Sequence, residues 1–313
     1  MKKLSSLILR ISITGVLLIF LLVKTDVRSL ANAFKTSDPL YLVLAFVLFV
    51  LLNGLGVMRW GLLLKGVGIQ VNRGRLCLSY GTSLFFNLIF PSTLGGDTVR
   101  TLDIARYAKR HSSGVLATVM LDRLAGFFGL ITVLIFAICL GAGILKDTSI
   151  AWGALVLVVL SVFLTGIMFS EPFFRMLFQW LPFKKIKDYC FQIHEAASVY
   201  KRQRTVLYQI WFLSVLIHLG ICIVYYWVAL AIGVRVPLMY FFLFVPAITV
   251  FSSIPVSIGG LGVRDASSVF LFSRIGLSAS QAFVLSLANF AFLLVLGLSG
   301  GVAYVTCLYR RRL

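Results

Sequence analysis

Apolar residues run along this chain in long stretches, separated by short segments that hold charge or turn formers. Stretches long enough to cross a bilayer, about 20 residues, fall at 7–23, 40–64, 114–145, 150–169, 206–232 and 278–308. Two more, 76–90 and 238–254, are shorter, and each ends at a proline, Pro91 or Pro255. Each short stretch, with the segment beyond its proline, reads as a helical hairpin that enters the membrane and returns. The pattern predicts an all-α polytopic membrane protein with about six full spans and two broken, re-entrant hairpins, near 76–108 and 238–274.

The two breaks share a phrase. Pro91-Ser-Thr-Leu-Gly95-Gly96-Asp97-Thr-Val99-Arg100 returns as Pro255-Val-Ser257-Ile-Gly259-Gly260-Leu-Gly-Val263-Arg264, 164 positions later. In water, proline and a glycine pair would mark a turn. In lipid, backbone freed by such residues has no hydrogen-bond partner unless it is buried in protein or lines a wet cavity. Interrupted hydrophobic segments at matching places in two halves of a chain point to a transporter's central site.

Charge orients the spans. With a cytoplasmic N-terminus, nineteen basic residues fall in inside regions and six outside. That is the bias of the positive-inside rule, and both termini are then cytoplasmic. In this topology the hairpin at Pro91 opens inward and the hairpin at Pro255 opens outward. Residues 1–145 and 146–313 then form an inverted-topology repeat, the layout expected for alternating access about a midplane site.

Composition agrees with the pattern: 60% of residues are hydrophobic and 12% charged, outside the range of soluble domains. The net charge of +19 sits in loops between apolar spans. It fits anionic headgroups of a cytoplasmic leaflet rather than nucleic acid. The five cysteines are scattered without a CxxC or a Cys/His cluster, so neither a metal site, a cofactor site nor a disulfide framework is expected. Met1-Lys2-Lys3 and the apolar stretch that follows resemble a signal peptide. Lys24, Asp26 and Arg28 lie before the Ala31-Asn32-Ala33 cleavage-like site, and the segment is read as a retained first span.

Smaller features complete the layout. The linker 171–204 carries Phe173, Phe174, Phe178 and Trp180 beside seven basic residues, the make-up of amphipathic helices lying in the cytoplasmic interface. It is also the surface on which a partner transferase would dock. Trp211 and Tyr225-Tyr226-Trp227 stand near opposite ends of one span, as interface anchors do. Gly297 and Gly301 form a GxxxG, read as a close helix contact within the chain.

Ionisable side chains inside a membrane cost several kcal/mol unless paired or hydrated, so they are functional candidates. They are Asp97, Arg100 and Asp103, then Asp122 and Arg123, then Arg264 and Asp265. One reading makes them buried structural pairs. The other makes them a binding site for an anion. A helix restarting after Gly95-Gly96 or Gly259-Gly260 aims N–H groups and the positive end of its dipole at a ligand. Arg100 and Arg264 follow one turn later, with a planar fork suited to phosphate. Arg123 is a third donor, and Asp97, Asp122 and Asp265 are orienting partners or proton-coupling groups. Ser257, Ser267 and Ser268 add hydroxyls, the last two on one helical face with Arg264 and Arg274. His218 lies mid-span as a proton relay or a packing residue, and Asn53, Asn87 and Asn289 can bridge helices. No residue set marks a catalytic centre. An intramembrane transferase with Asp97 or Asp122 as base would need its donor-binding domain supplied from elsewhere.

The motifs resemble the lysylphosphatidylglycerol synthase transmembrane-region family, which includes uncharacterised inner-membrane proteins and the flippase part of bacterial multiple-peptide-resistance proteins. The likeness rests on Phe90-Pro91-x-x-x-Gly95-Gly96-Asp97-x-x-Arg100, on Asp122-Arg123, and on Pro255-x-Ser257-Ile-Gly259-Gly260-Leu-Gly262-Val-Arg264-Asp265. Glu is common in the family where this chain has Asp265, a change that keeps the charge. No aminoacyl-transferase domain follows Leu313, so the resemblance implies translocation rather than synthesis of a lipid. The expected substrate is an anionic, phosphate-bearing lipid. The expected location is a plasma membrane, bacterial inner or archaeal. Two alternatives stand beside it: a carrier of polyprenyl-phosphate-linked sugars, and a membrane subunit that docks a lipid-modifying transferase.

Overall fold

The structure, a computed structural model, describes residues 35–90, 94–109, 112–141, 159, 191, 200, 203–253 and 260–310. The spans expected at 7–23 and 150–169 and the linker 171–204 fall outside these residues, apart from Val159, Phe191, Tyr200, Gln203 and Arg204. So do Pro91, Pro255, Ser257 and Gly259. Among the described residues all regular structure is helical: α1 Pro39–Gly66, α2 Arg73–Ile89, α3 Leu94–Tyr107, α4 Ser112–Gly141, α5 Arg204–Ala231, α6 Leu238–Ser253, α7 Val263–Ser273 and α8 Ala279–Arg310.

Helices α1, α4, α5 and α8 hold 28, 30, 28 and 32 residues. At 1.5 Å per residue each is about 42 Å or longer, enough to cross a hydrocarbon core of about 30 Å. All four are also apolar enough to do so. Leu40, Val43 and Leu51 of α1 and Val302 and Val305 of α8 are well exposed. An apolar surface of this kind is a liability in water and the normal exterior of a helix in lipid.

The two expected hairpins appear as pairs of short helices that run back beside themselves. At the base of the first, Arg75 near the start of α2 pairs with Asp103 near the end of α3 and lies over the Tyr107 ring. At its tip, the Gly96 N–H donates to Asn87 Oδ1 at 3.0 Å. In the second, Phe241 and Phe244 of α6 both pack on Phe272 of α7, with ring centroids 5.2 and 5.4 Å apart.

The chain forms two compact units, one of Met1–Leu52, Tyr80–Gly96 and Leu219–Leu313, the other of Asn53–Ser79 and Asp97–His218. In the first, α2 crosses α8 where Gly81 and Gly300 meet, and a Cβ on Gly300 would stand 2.4 Å from the Gly81 carbonyl oxygen. Gly297 and Gly301 pack on Leu88 and Phe85 of α2, so the GxxxG seam is a contact inside the chain. In the second, Gly129 of α4 meets Ser214 of α5, and that close approach brings Ser214 within reach of Arg59.

Candidate functional site: two arginine–aspartate groups

The second unit holds five charged side chains in an unbroken series. Arg59 Nε donates to Asp122 Oδ1 at 2.8 Å. Arg100 donates through both Nη atoms to the other oxygen of Asp122 at 3.3 Å, and through Nε to Asp97 Oδ1 at 3.0 Å. Arg123 Nε donates to Asp97 Oδ2. Four of the five residues are at least nine-tenths buried, while the Arg123 side chain is 34% exposed. Burying carboxylates and guanidinium groups this deeply is tolerable only because each has partners. Both oxygens of both aspartates carry a guanidinium hydrogen bond.

Neighbouring side chains fix the series in place. Arg59 Nη1 donates to Ser214 Oγ at 2.9 Å. The Arg100 guanidinium lies 4.8 Å from the ring centre of Trp60, a cation–π contact strengthened by burial. Trp60 is fully buried and anchored by its Nε1–H to Thr118 Oγ1 at 3.1 Å. The ring therefore cannot swing away without breaking that bond. His218 neighbours the Gly126 backbone and the Arg59 charge.

The first unit holds a smaller group at the start of α7. Gly260 and Gly262 have φ of 77° and 82°, left-handed values that glycine adopts without strain. They turn the chain into α7. The Gly262 N–H donates to Asp265 Oδ2 at 2.9 Å, so the carboxylate caps the new helix. Asp265 Oδ1 accepts from Ser286 Oγ and from Arg264 Nη2 at 3.2 Å. Arg264 Nε donates to Ser286 Oγ at 2.8 Å, and its guanidinium lies 5.4 Å from the Phe290 ring centre. One helical turn beyond Ser286, the buried Asn289 Nδ2 finds no acceptor among the described residues.

Asp97, Arg100, Asp122 and Arg123 thus come together, as do Arg264 and Asp265. Asp103 sits apart from the first series, at the hairpin base with Arg75. The serines are placed differently from Arg264. Ser267 donates to its own helix at Val263 O, and Ser268 donates to Ala282 O, so each hydroxyl proton is committed to backbone. Arg264 and Ser268 do share the face toward α8, but Arg274 lies past the last residue of α7, over Phe270.

The glycine pair of the first phrase also behaves differently from expectation. Helix α3 begins at Leu94, so Gly95 and Gly96 lie inside its first turn. Their role there is proximity: a Cβ on Gly96 would stand 2.1 Å from the Ser83 carbonyl oxygen. The Gly96 N–H, expected to face a ligand, is held by Asn87. Arg59 and Ser286 were not legible as site residues. Arg59 carried one usable signal, a lone cation inside an apolar span.

The model of the family described as "Lysylphosphatidylglycerol synthase TM region" matches residues 7–301, nearly the whole chain. The chain belongs to that family. Two relatives, both named "UPF0104 membrane protein" and both from Methanothermobacter thermautotrophicus, are similar along most of their length. One is 24% identical over 272 residues, 80% of each chain; the other is 25% identical over 288 residues, 82% of this chain and 80% of the relative. No solved structure matches. Family and long apolar helices together make this a multi-pass membrane protein.

Proposed function

We propose that this chain carries a phosphate-bearing lipid from one leaflet to the other, making and breaking no covalent bond. The observation that carries the reading is the buried series Arg59–Asp122–Arg100–Asp97–Arg123 on otherwise apolar helices. Asp97 and Asp122 occupy guanidinium donors that a phosphate would use with the same geometry. A phosphate that takes Arg100 leaves Asp122 with Arg59 and Asp97 with Arg123, so no buried charge is stranded. Arg264, with the Asn289 amide one turn from its partner Ser286, offers the same donor chemistry at the second hairpin.

In this reading the headgroup passes along arginine donors while its hydrocarbon tails stay in the bilayer. Six spans, with sequence halves 1–145 and 146–313 in opposite orientations, supply alternating access in a plasma membrane with both termini in the cytoplasm. The test is headgroup binding by the purified full chain in nanodiscs, with short-chain phosphatidylglycerol as probe and calorimetry as readout. Replacing Arg100 or Arg264 by Ala removes a charged hydrogen bond, worth about 1.5–3 kcal/mol, and weakens binding about tenfold or more. Binding equal to the parent in both variants overturns the reading.

A further inference from the structure

An apolar cavity of about 480 Å³ lies in the second unit, walled by Leu63 of α1, Leu121 and Ala125 of α4, and Leu207 and Ile210 of α5, with Tyr200 beside them. Two polar groups on its wall are already engaged. The Tyr200 hydroxyl donates to Leu63 O, and burial pushes this phenol far above its ordinary pKa, keeping it a neutral donor. Trp211 Nε1, also on the wall, donates to Thr132 Oγ1 at 3.1 Å. A peptide or headgroup entering this space would leave its own donors and acceptors unmatched. Hydrocarbon needs no such partner. Left empty, a cavity of this size forfeits the contacts of every side chain that lines it.

Each of the three walls also carries a member of the charged series, or its anchor, within about one helical turn. Leu63 stands four positions after Arg59, Leu121 and Ala125 flank Asp122 and Arg123, and Ile210 stands four positions before Ser214. Ser214 links the two features directly: it accepts from Arg59 and donates to Ile210 O at 2.6 Å. We infer that this cavity is the slot for one hydrocarbon chain of the lipid whose phosphate engages the Arg59–Arg123 series. The inference rests on the carrier reading and deepens it. The protein grips headgroup and chain together, and Tyr208 and Trp211, 69% and 43% exposed, form the rim over which the chain enters. Because lipid tails are as apolar as the slot, the chain gains little by transfer alone. Selection comes from the phosphate held beside it.

The test uses the full chain in nanodiscs doped with phosphatidic acid bearing a diazirine in one acyl chain. Diacylglycerol with the same chain serves as the neutral comparison, and labelled residues are located by mass spectrometry. The expected result is labelling within 121–128 and 207–211 that is severalfold higher from phosphatidic acid than from diacylglycerol. Filling the slot with Ala125→Phe, or with Leu207→Trp should the first variant not fold, lowers that labelling severalfold. Suppose short-chain phosphatidylglycerol binds but label falls only on outward residues such as Val43 and Val302. The slot is then wrong and the carrier reading survives. If no headgroup binding is found and both lipids label the slot equally, the carrier reading fails and the link between slot and charges fails with it.

Discussion

Arg59 decides how the buried charges are shared. Without it Asp122 would rely on Arg100 alone, which also serves Asp97. Removing one partner from a buried ion pair costs about 3–5 kcal/mol, because the other charge stays behind in a poor solvent. Arg59→Leu and Asp122→Leu should each lower thermal stability in detergent by that order. The double variant should cost clearly less than the sum, since neither charge is then stranded. Additive losses would mean that the two side chains do not depend on each other. The aspartates and arginines at 97, 100, 122 and 123 were legible because charge stands out against apolar sequence. Arg59 is hidden inside the apolar stretch 40–64, since its carboxylate lies 63 positions away and periodicity carries no pairing information.

At the scale of elements, the hairpins depend on how closely their helices approach. Gly96→Ala would drive a Cβ into the Ser83 carbonyl, and Gly300→Ala would drive one into Gly81. Overpacking of this kind costs about 1–3 kcal/mol. Gly54→Ala in α1, where nothing lies within 4 Å, should be neutral or stabilising by up to about 1 kcal/mol. Thermal unfolding of the three variants checks the contrast, and equal effects would contradict these contacts. Releasing the first hairpin's base with Arg75→Gln should raise amide hydrogen exchange in 73–79 and 100–107 while the exchange of α7 stays unchanged. The described helices stop and restart on either side of 90–93 and 254–262, the stretches where the sequence puts Pro91 and Pro255. The prolines and glycine pairs did not show that Gly95 and Gly96 would be helical, because proximity to Ser83 and Asn87 is a tertiary fact. Nor did they show that Asp265 would cap α7, although an acid three residues after Gly262 is the usual spacing for such a cap.

For the whole molecule, hydrophobic patterning alone located the long helices α1, α4, α5 and α8 to within a few residues, since a bilayer demands uninterrupted apolar length. The proposed orientation follows from loop charge and can be checked directly. In a cysteine-free background, Lys109→Cys should react with an impermeant maleimide only from the cytoplasmic side, and Arg235→Cys only from the opposite side. Reaction of both from one side would remove the inverted arrangement of the two halves. Transport itself is read in sealed vesicles that hold the purified chain and fluorescent-headgroup phosphatidylglycerol, with an impermeant quencher added outside. Quenching should proceed well beyond the outer-leaflet half with the parent chain, and stop near that half with Arg100→Ala and with the charge-conserving Arg100→Lys. Quenching that never passes the outer leaflet with the parent chain, or that is identical in all three, would contradict a carrier built on these arginines.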